Sequence, residues 1–153
     1  MDLETGVIDE TMGPEVRVQK LFRDRLVGVV RAGHPLARGE VRLLRYAGGR
    51  HVSVSRRGGS QRLIEEALAE HELERDVAVI VGGFGAAVAL ARNSDLIATV
   101  PERHTGNLRS GMHSFPLPFP TPEFTVSMLW HPRLDADFTH RWLRGIVSEV
   151  CTR

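Results

Sequence analysis

The stretch from Asp76 to Pro101 constrains the fold of this chain more than any other. It consists of a β-branched run, a glycine cluster, an alanine-rich segment and a second apolar run that ends at a proline: DVAVIVGGFGAAVALARNSDLIATVP. Residues 77–81 are too short and too β-branched for an independent helix, whereas residues 84–91 are rich in helix-forming residues. The stretch therefore predicts a strand, a helix and a strand. Such a crossover requires two parallel strands in one buried sheet, so the predicted fold class is α/β.

A glycine cluster, Gly82, Gly83 and Gly85, falls where the first of these strands ends and the helix begins. Ligands collect outside the carboxyl ends of parallel strands, where helix N-termini present free N–H groups, so this position suits a binding site. The cluster does not match the GxGxxG pattern of dinucleotide-binding proteins, and the chain has no GxxxxGK phosphate loop. No cofactor is therefore expected. A tight turn between strand and helix explains the glycines equally well.

Composition limits the classes of protein to which the chain can belong. Its 153 residues can bury one core or two small lobes. With 20 basic and 19 acidic residues the formal net charge is +1, so no basic excess is present to neutralise a DNA backbone. The single cysteine, Cys151, excludes an internal disulfide and is consistent with a reducing cytoplasm.

The sequence shows neither a membrane span nor an export signal. No apolar run reaches the roughly 18 residues that a membrane span needs. The first residues, MDLETGVIDE, contain neither the basic nor the apolar region of a signal peptide. We therefore expect a cytoplasmic protein with no membrane partner.

A second strand, loop and helix precede the central stretch. Residues 51–55, HVSVS, alternate as a strand does, and the loop RRGGS follows them. Ser60 is well placed to cap a helix that runs to about His71. Two successive units of this kind predict a small doubly wound lobe over residues 38–106.

One segment before this lobe and one at its beginning are also predicted. Residues 26–30, LVGVV, are an apolar run typical of a buried strand, and the sequence GHP at residues 33–35 ends it. Residues 41–46 predict a short helix that ends at the two glycines of residues 48–49. The segment around His34 is therefore expected to be a connector between two bodies.

The C-terminal part begins with a proline-rich segment. Four prolines within residues 116–122 forbid a helix and a central strand, so an extended connector is expected there. Residues 124–130 predict a strand, and Asp135 or Asp137 is placed to cap a final helix. The apolar stripe of that helix comprises Phe138, Trp142, Leu143, Ile146, Val147 and Val150. Residues 1–37 and 107–153 are therefore expected to form a second body beside the lobe.

Known catalytic and metal-binding patterns are absent from the sequence. The seven histidines show neither an HExxH motif nor a paired spacing, so no metal site is expected. No GxSxG motif is present. The sequence therefore does not predict an enzyme.

Four segments, in order, resemble the effector-binding domain of LysR-type transcriptional regulators over nearly the whole chain. They are LETGVID, LFRDRLVGVVRAGHPLA, SDLIATVP and WHPRLDADFTHRWLR. The resemblance implies a fold like that of periplasmic binding proteins, in which two α/β lobes are joined by two crossing strands and a small effector binds between the lobes. The family's helix-turn-helix, its linker helix and the first βαβα segment of lobe one would precede LETGVID. One complete doubly wound lobe and a remnant of the other are therefore expected here.

Nine residues are predicted to bind the effector because they lie at predicted strand ends or in the adjoining loop, positions that the resemblance also indicates. Hydroxyl groups and an arginine there suit an anionic aromatic compound or a small organic acid. The nine are Ser53, Ser55, Arg56, Gly82, Gly83, Phe84, Thr99, Val100 and Pro101. Structural roles are alternatives for several of them. Phe84 also suits the core and Thr99 an ordinary strand position, while the glycines also suit a tight turn and Arg56 a solvated loop. Ser60 is assigned to helix capping and not to ligand binding.

The predicted function is therefore that of a small-molecule sensor within a transcription regulator. An enzyme or a solute-binding protein with the same two-lobed fold is the alternative. DNA would be bound only through the helix-turn-helix of a full-length regulator. The resemblance also implies a homodimer, and the apolar stripe of the final helix predicts self-association unless that helix folds back on the strands of residues 26–30 and 124–130.

Overall fold

A computed structural model describes residues 3–6, 15–54 and 60–152, with the backbone alone described at Ser60. The chain forms two compact units. Unit 1 comprises Met1–Asp24 and Glu123–Arg153, and unit 2 comprises Arg25–Pro122. The assignment of residues 38–106 to one effector-binding lobe, and of 1–37 with 107–153 to the other, stays a prediction.

The described residues contain eight strands and four α-helices. The strands are β1 (Glu4–Gly6), β2 (Arg17–Asp24), β3 (Leu26–Val30), β4 (Arg50–Val54), β5 (Asp76–Val81), β6 (Ile97–Pro101), β7 (His113–Pro116) and β8 (Phe124–Trp130). The helices are α1 (Leu43–Ala47), α2 (Ser60–Ala69), α3 (Phe84–Arg92) and α4 (Phe138–Cys151). Short 3-10 turns at Pro35–Ala37, Asn107–Arg109 and Pro132–Leu134 connect some of them.

Unit 2 contains a five-stranded sheet in the order β5-β4-β6-β3-β7. β4 pairs in parallel with both β5 and β6, so the predicted crossover from β5 through α3 to β6 is confirmed. β3 pairs antiparallel with β6 on one side and with β7 on the other. All five residues of β3 are buried, which confirms the buried strand predicted over residues 26–30.

Helices cover both faces of this sheet. Val29 belongs to a core cluster with Ala87, Val88 and Ala91 of α3, whereas its neighbour Val30 packs with residues of α1 and α2. Successive side chains of a strand point to opposite faces, so α3 covers one face, and α1 and α2 cover the other. A doubly wound α/β architecture is therefore confirmed for unit 2.

Three predicted boundaries in unit 2 differ from the structure. The first helix is α1, which begins at Leu43 rather than at residue 41. α2 ends at Ala69, because the chain turns with Glu72 at φ 57° and the Leu73 N–H donates to the Leu68 carbonyl oxygen, a Schellman-type end. β7 extends to Pro116, the first residue of the proline-rich segment, whereas residues 117–122 contain no helix or strand, as predicted. β7 lies at the sheet edge, where a proline's missing N–H is tolerated.

Unit 1 contains a three-stranded antiparallel sheet in the order β1-β8-β2. The central strand β8 coincides with the predicted residues 124–130, and its residues Val126 to Leu129 are buried. α4 begins after Asp137, whose carboxylate oxygen Oδ1 accepts a hydrogen bond from the His140 N–H at 2.8 Å. Of the two predicted caps, Asp137 is therefore the residue that starts this helix.

Gly28 in β3 illustrates how closely the sheet of unit 2 is packed. A Cβ atom added there would lie 2.3 Å from two ring carbons of the buried Phe115. We expect Gly28→Ala to lower the free energy of unfolding by about 1–3 kcal/mol through overpacking, measured by urea denaturation. Gly82→Ala is the matched control, because its Cβ would meet nothing within 4 Å, and it should change stability by less than about 0.5 kcal/mol. Equal losses in both variants would contradict the prediction.

Candidate functional site

The carboxyl ends of β5, β4 and β6 meet at one edge of the sheet in unit 2, because these strands are parallel. From β4 the chain continues to β5 on one side, and from β6 it continues towards β7 on the other. Neighbouring strands whose connections leave in opposite directions create a crevice outside their carboxyl ends, where ligands of α/β proteins bind. This edge is therefore the candidate functional site.

Sequence-predicted residues after β5 and at the end of β6 lie at this edge. Gly82, Gly83 and Phe84 connect β5 to α3, and Pro101 is the last residue of β6. The Phe84 ring makes an edge-to-face contact with the ring of His104, whose centroid is 6.2 Å away. His104 was not predicted, because it stands in a polar segment with no pattern and reaches Phe84 only through the fold.

The predicted residues after β4 lie outside the described residues. The strand ends at Val54, and Ser55 and Arg56 follow it. Both residues therefore stay predictions.

The N-terminus of α3 at this edge begins with a glycine. Gly83 is the N-cap, with an extended backbone at φ −160° and ψ 164°, and glycine has no side chain to accept hydrogen bonds from the first N–H groups of the helix. A Cβ atom added at Gly82 or Gly83 would meet no heavy atom of the described residues within 4 Å. The N–H groups of a helix N-terminus and the helix dipole attract anions, so this position suits a carboxylate or another small anion.

Three other predicted residues are buried within the sheet. Ser53 is on the face covered by α1 and α2, where its hydroxyl oxygen accepts a hydrogen bond from Arg75 at 3.3 Å. The Thr99 and Tyr46 hydroxyl oxygens are 2.6 Å apart, and both side chains are buried. Val100 belongs to the core beneath α3. The structure thus places these three side chains among protein partners, and their contact with an effector stays a prediction.

Arg75 is a buried charge that the sequence did not identify. Its side chain is 1% exposed, and its Nε donates to the Glu65 carboxylate at 2.7 Å. A buried guanidinium needs such a partner, because desolvation of an unpaired charge is costly. Arg75 stands in the polar run HELERD, which resembles a solvated turn, so no pattern in the sequence indicates its burial. Its hydrogen bond to Ser53 contacts β4 near the carboxyl end of that strand.

His51 and Tyr46 form a second buried polar pair on the same face. The His51 Nε2–H donates to the Tyr46 carbonyl oxygen, with 2.7 Å between the two atoms. Burial lowers the pKa of His51 to about 4, although this hydrogen bond acts in the opposite direction. Burial also raises the pKa of the Tyr46 hydroxyl, and the hydrogen bond to Thr99 opposes that shift. Both side chains are therefore neutral near pH 7.

The loop after β6 is held firmly beside the edge. Arg109 donates to the Thr105 hydroxyl at 3.0 Å and to the Glu102 carbonyl oxygen at 2.6 Å. The Glu102 carboxylate in turn accepts two hydrogen bonds from Arg25, each at 3.2 Å. Because His104 lies within this braced loop, its position beside Phe84 is fixed by the fold before any ligand arrives.

The described part of the chain contains neither a cluster of metal-ligating side chains nor a helix that could span a membrane. Histidine, cysteine, aspartate and glutamate side chains form no group of three that could hold a metal ion there. None of the helices in the same residues has both the length and the apolar character needed to cross a bilayer.

Residues 6–152 match the family described as the LysR substrate binding domain. The chain therefore belongs to this family of effector-binding domains of LysR-type transcriptional regulators, and the predicted α/β, periplasmic-binding-protein-like fold is confirmed. The transcriptional activator NagR of Ralstonia sp is 28% identical over 157 residues, which cover 97% of this chain and 52% of NagR. The chain thus spans about half the length of the curated relatives that it matches.

Solved structures of regulatory domains share the fold. The regulatory domain of MexT, a transcriptional activator in Pseudomonas aeruginosa, has a TM-score of 0.77 and 26% identity, and the match covers 97% of this chain and 74% of that one. The effector binding domain of QuiR, solved in complex with shikimate, has a TM-score of 0.71 and covers 98% of this chain and 71% of its own. At 18% identity the likeness to QuiR concerns the fold alone.

The buried His51 predicts a specific dependence of stability on pH. The unfolded chain binds a proton at His51 near the ordinary pKa of 6.5, whereas the folded protein binds it only near 4, so the unfolded state holds more protons between these values. This contribution to the free energy of unfolding is complete above about pH 6.5 and decreases as the pH falls, with a loss of about 2–3 kcal/mol by about pH 4.5.

Urea denaturation of the His51→Gln variant measures this effect. The variant retains an N–H donor but does not titrate, so its loss of stability between about pH 7.5 and 4.5 should be smaller than that of the unsubstituted protein by about 2–3 kcal/mol. His71→Gln, at an exposed position, is the control and should keep the original pH dependence. An unchanged slope in His51→Gln would contradict the assignment.

Proposed function

We propose that this chain is the effector-sensing part of a LysR-type transcriptional regulator and that it binds a small organic anion at the carboxyl edge of β4, β5 and β6. The observation that carries the proposal is the glycine N-cap of α3. Gly83 has no side chain to cap that helix, and no atom of the described residues lies within 4 Å of a Cβ added at Gly82 or Gly83. An anion placed there would be held by backbone donors and the helix dipole.

The surrounding side chains favour a ligand with an apolar or aromatic body. Phe84 and His104 present a pair of rings at the same edge. Ligand sites are commonly apolar with a few convergent polar groups, and an aromatic or alicyclic acid fits such a combination. The complex of the QuiR domain with shikimate supports a small organic ligand for a protein of this fold.

The proposed effector-binding set keeps all nine predicted residues, in two roles. Gly82, Gly83, Phe84 and Pro101 belong to the edge itself, and Ser55 and Arg56 follow the end of β4 in the sequence. Ser53, Thr99 and Val100 are buried behind them and would fix the positions of the strand ends. Arg56 would supply a second donor group for the anion.

Gene regulation by a cytoplasmic homodimer completes the proposal. Relatives such as NagR are transcriptional activators, and this chain corresponds to about half of that protein's length. DNA binding is assigned to a helix-turn-helix module of a full-length regulator, because 20 basic and 19 acidic residues leave this chain without a basic excess. A homodimer is typical of regulators that bind symmetric DNA sites.

An enzyme with the same fold is less well supported. A hydrolase of the serine type needs a hydroxyl within hydrogen-bonding distance of a base. The hydroxyl of Ser53 instead accepts from the buried Arg75, and His51 donates to a backbone carbonyl oxygen. The relatives reported above are transcriptional regulators.

A thermal-shift assay with defined probes tests the proposal. Benzoate, shikimate and succinate represent aromatic, alicyclic and aliphatic carboxylates, and benzamide is the uncharged counterpart of benzoate. A ligand at about 100 times its Kd should raise the Tm of a domain of this size by about 5–10 °C. We expect a carboxylate to do so and benzamide to have little effect. Equal shifts from benzoate and benzamide would contradict an anion site.

Two substitutions at Gly83 locate that site. Gly83→Asp places a carboxylate on the first N–H groups of α3, so it should cap the helix, preserve or raise the Tm, and weaken anion binding by at least about tenfold. Gly83→Ala is the matched control, because it adds no carboxylate at those N–H groups and its Cβ meets no atom of the described residues within 4 Å. Affinity in the alanine variant should stay within about threefold. Unchanged anion binding in Gly83→Asp would show that the anion does not bind at the N-terminus of α3.

A further inference from the structure

The segment between β6 and β7 borders α3 within unit 2. Beside the first residue of the helix, the His104 ring contacts the Phe84 ring edge to face, with 6.2 Å between the two ring centroids. Beside the last residue, Arg92 donates a hydrogen bond to the Ser110 carbonyl oxygen at 2.9 Å. The segment is therefore attached to α3 at two places, one at the proposed effector edge and one at the opposite end of the helix.

Arg109 joins three parts of this segment through one guanidinium group. Its Nε donates to the Thr105 hydroxyl at 3.0 Å, and its Nη2 donates to the Glu102 carbonyl oxygen at 2.6 Å. Its Nη1 donates to the Ser114 hydroxyl in β7. Three acceptors in different directions suit the planar fork of arginine, whereas the single ammonium group of lysine cannot reach all of them at once. The contact therefore depends on the shape of the side chain and not on its charge alone.

His104 lies within the turn that these hydrogen bonds close. In the sequence it stands between Glu102 and Thr105, both of which Arg109 contacts. Thr105 is fully buried, and its hydroxyl and its N–H both donate to the Pro101 carbonyl oxygen, at 2.6 and 3.2 Å. A turn closed on both sides loses most of its conformational freedom, so the place of its side chains is set by the bonds that close it. Arg109 therefore determines where the His104 ring lies.

We propose that Arg109 is a positioning residue for effector binding, which holds the His104 ring beside Phe84 and acts on the ligand only through that ring. The proposal rests on the function proposed above, because Phe84 directly follows Gly83, the N-cap at which the effector's carboxylate is proposed to bind. An acid held there by its carboxylate has its body beside the two rings. Aromatic rings attract one another in edge-to-face and offset arrangements, so an aromatic acid gains from His104 and a short aliphatic acid does not.

Nuclear magnetic resonance of the free chain tests the positioning step without a ligand. In the unsubstituted chain we expect a nuclear Overhauser effect between the ring protons of His104 and Phe84. Arg109→Lys keeps the positive charge but not the three hydrogen bonds, so it should lower the intensity of this effect by at least about twofold. Arg92→Lys, at the opposite end of α3, is the matched control and should leave the effect unchanged. An unchanged effect in Arg109→Lys would refute the positioning role.

Calorimetric titration with benzoate and succinate tests the effect on binding. His104→Leu and Arg109→Lys should each weaken benzoate binding by about three- to tenfold and leave the affinity for succinate within about twofold, because only benzoate has a ring. His104→Phe keeps a ring at this position, so its affinity for benzoate should stay within about threefold of that of the unsubstituted chain. Arg92→Lys is again the control and should bind both acids as the unsubstituted chain does.

A double-mutant cycle distinguishes positioning from a general structural role. If Arg109 acts only through the His104 ring, then Arg109→Lys has nothing further to remove once that ring is absent. The variant with both His104→Leu and Arg109→Lys should therefore bind benzoate within about twofold of His104→Leu alone. Independent contributions would instead multiply, and the double variant would lose about ten- to a hundredfold in affinity.

Three results would overturn the proposal. Benzoate affinity that is unchanged in His104→Leu would show that this ring does not contact the ligand. Multiplied losses in the double variant would show that Arg109 acts independently of His104, and equal losses for benzoate and succinate in Arg109→Lys would indicate a structural role for that residue. Failure of the proposed function is distinguishable, because then neither acid would bind even the unsubstituted chain. That result would also refute the effect on affinity, whereas the Overhauser effect in the free chain would still decide whether Arg109 positions His104.

Discussion

Burial of the inner strands of unit 2 on both faces is the constraint on which the rest of this unit depends. β3 and β6 are buried at every residue, and β4 is buried from His51 to Val54. A polar side chain on such a strand must find its hydrogen bonds inside the protein, because no water reaches it. This explains why Ser53, Thr99 and His51 are each bonded to a buried partner. It also explains why the charged Arg75 is paired with Glu65 at the margin of the core.

Because helices cover both faces of this sheet, the places where a ligand can bind are the ends of the strands. The start of α3 has a glycine N-cap without a side chain, and among the described residues no atom lies within 4 Å of a Cβ added at Gly82 or Gly83. The braced loop that follows β6 brings His104 to Phe84 at this edge. Binding groups that are fixed by the scaffold lose little conformational freedom when a ligand arrives. A rigid edge of this kind is consistent with effector sensing by a member of this family.

Unit 1 is built differently. Its sheet has three strands, and among the described residues α4 is the α-helix that belongs to this unit. His140 and Arg144 are held against β8 and its following turn, while the row from Phe138 to Val150 remains outside.

The sequence by itself determined the local elements and the family of this protein. The crossover from β5 through α3 to β6, the buried strand β3, the strand β8 and a helix cap at Asp135 or Asp137 all follow from periodicity and capping residues, which act over a few neighbouring positions. Four ordered motifs were sufficient to indicate the LysR-type family. Only the tertiary structure decided that Thr99 faces Tyr46, that Arg75 is buried and that His104 meets Phe84. Those contacts join residues from separate elements, and their side chains acquire partners only when the sheet assembles in the order β5-β4-β6-β3-β7.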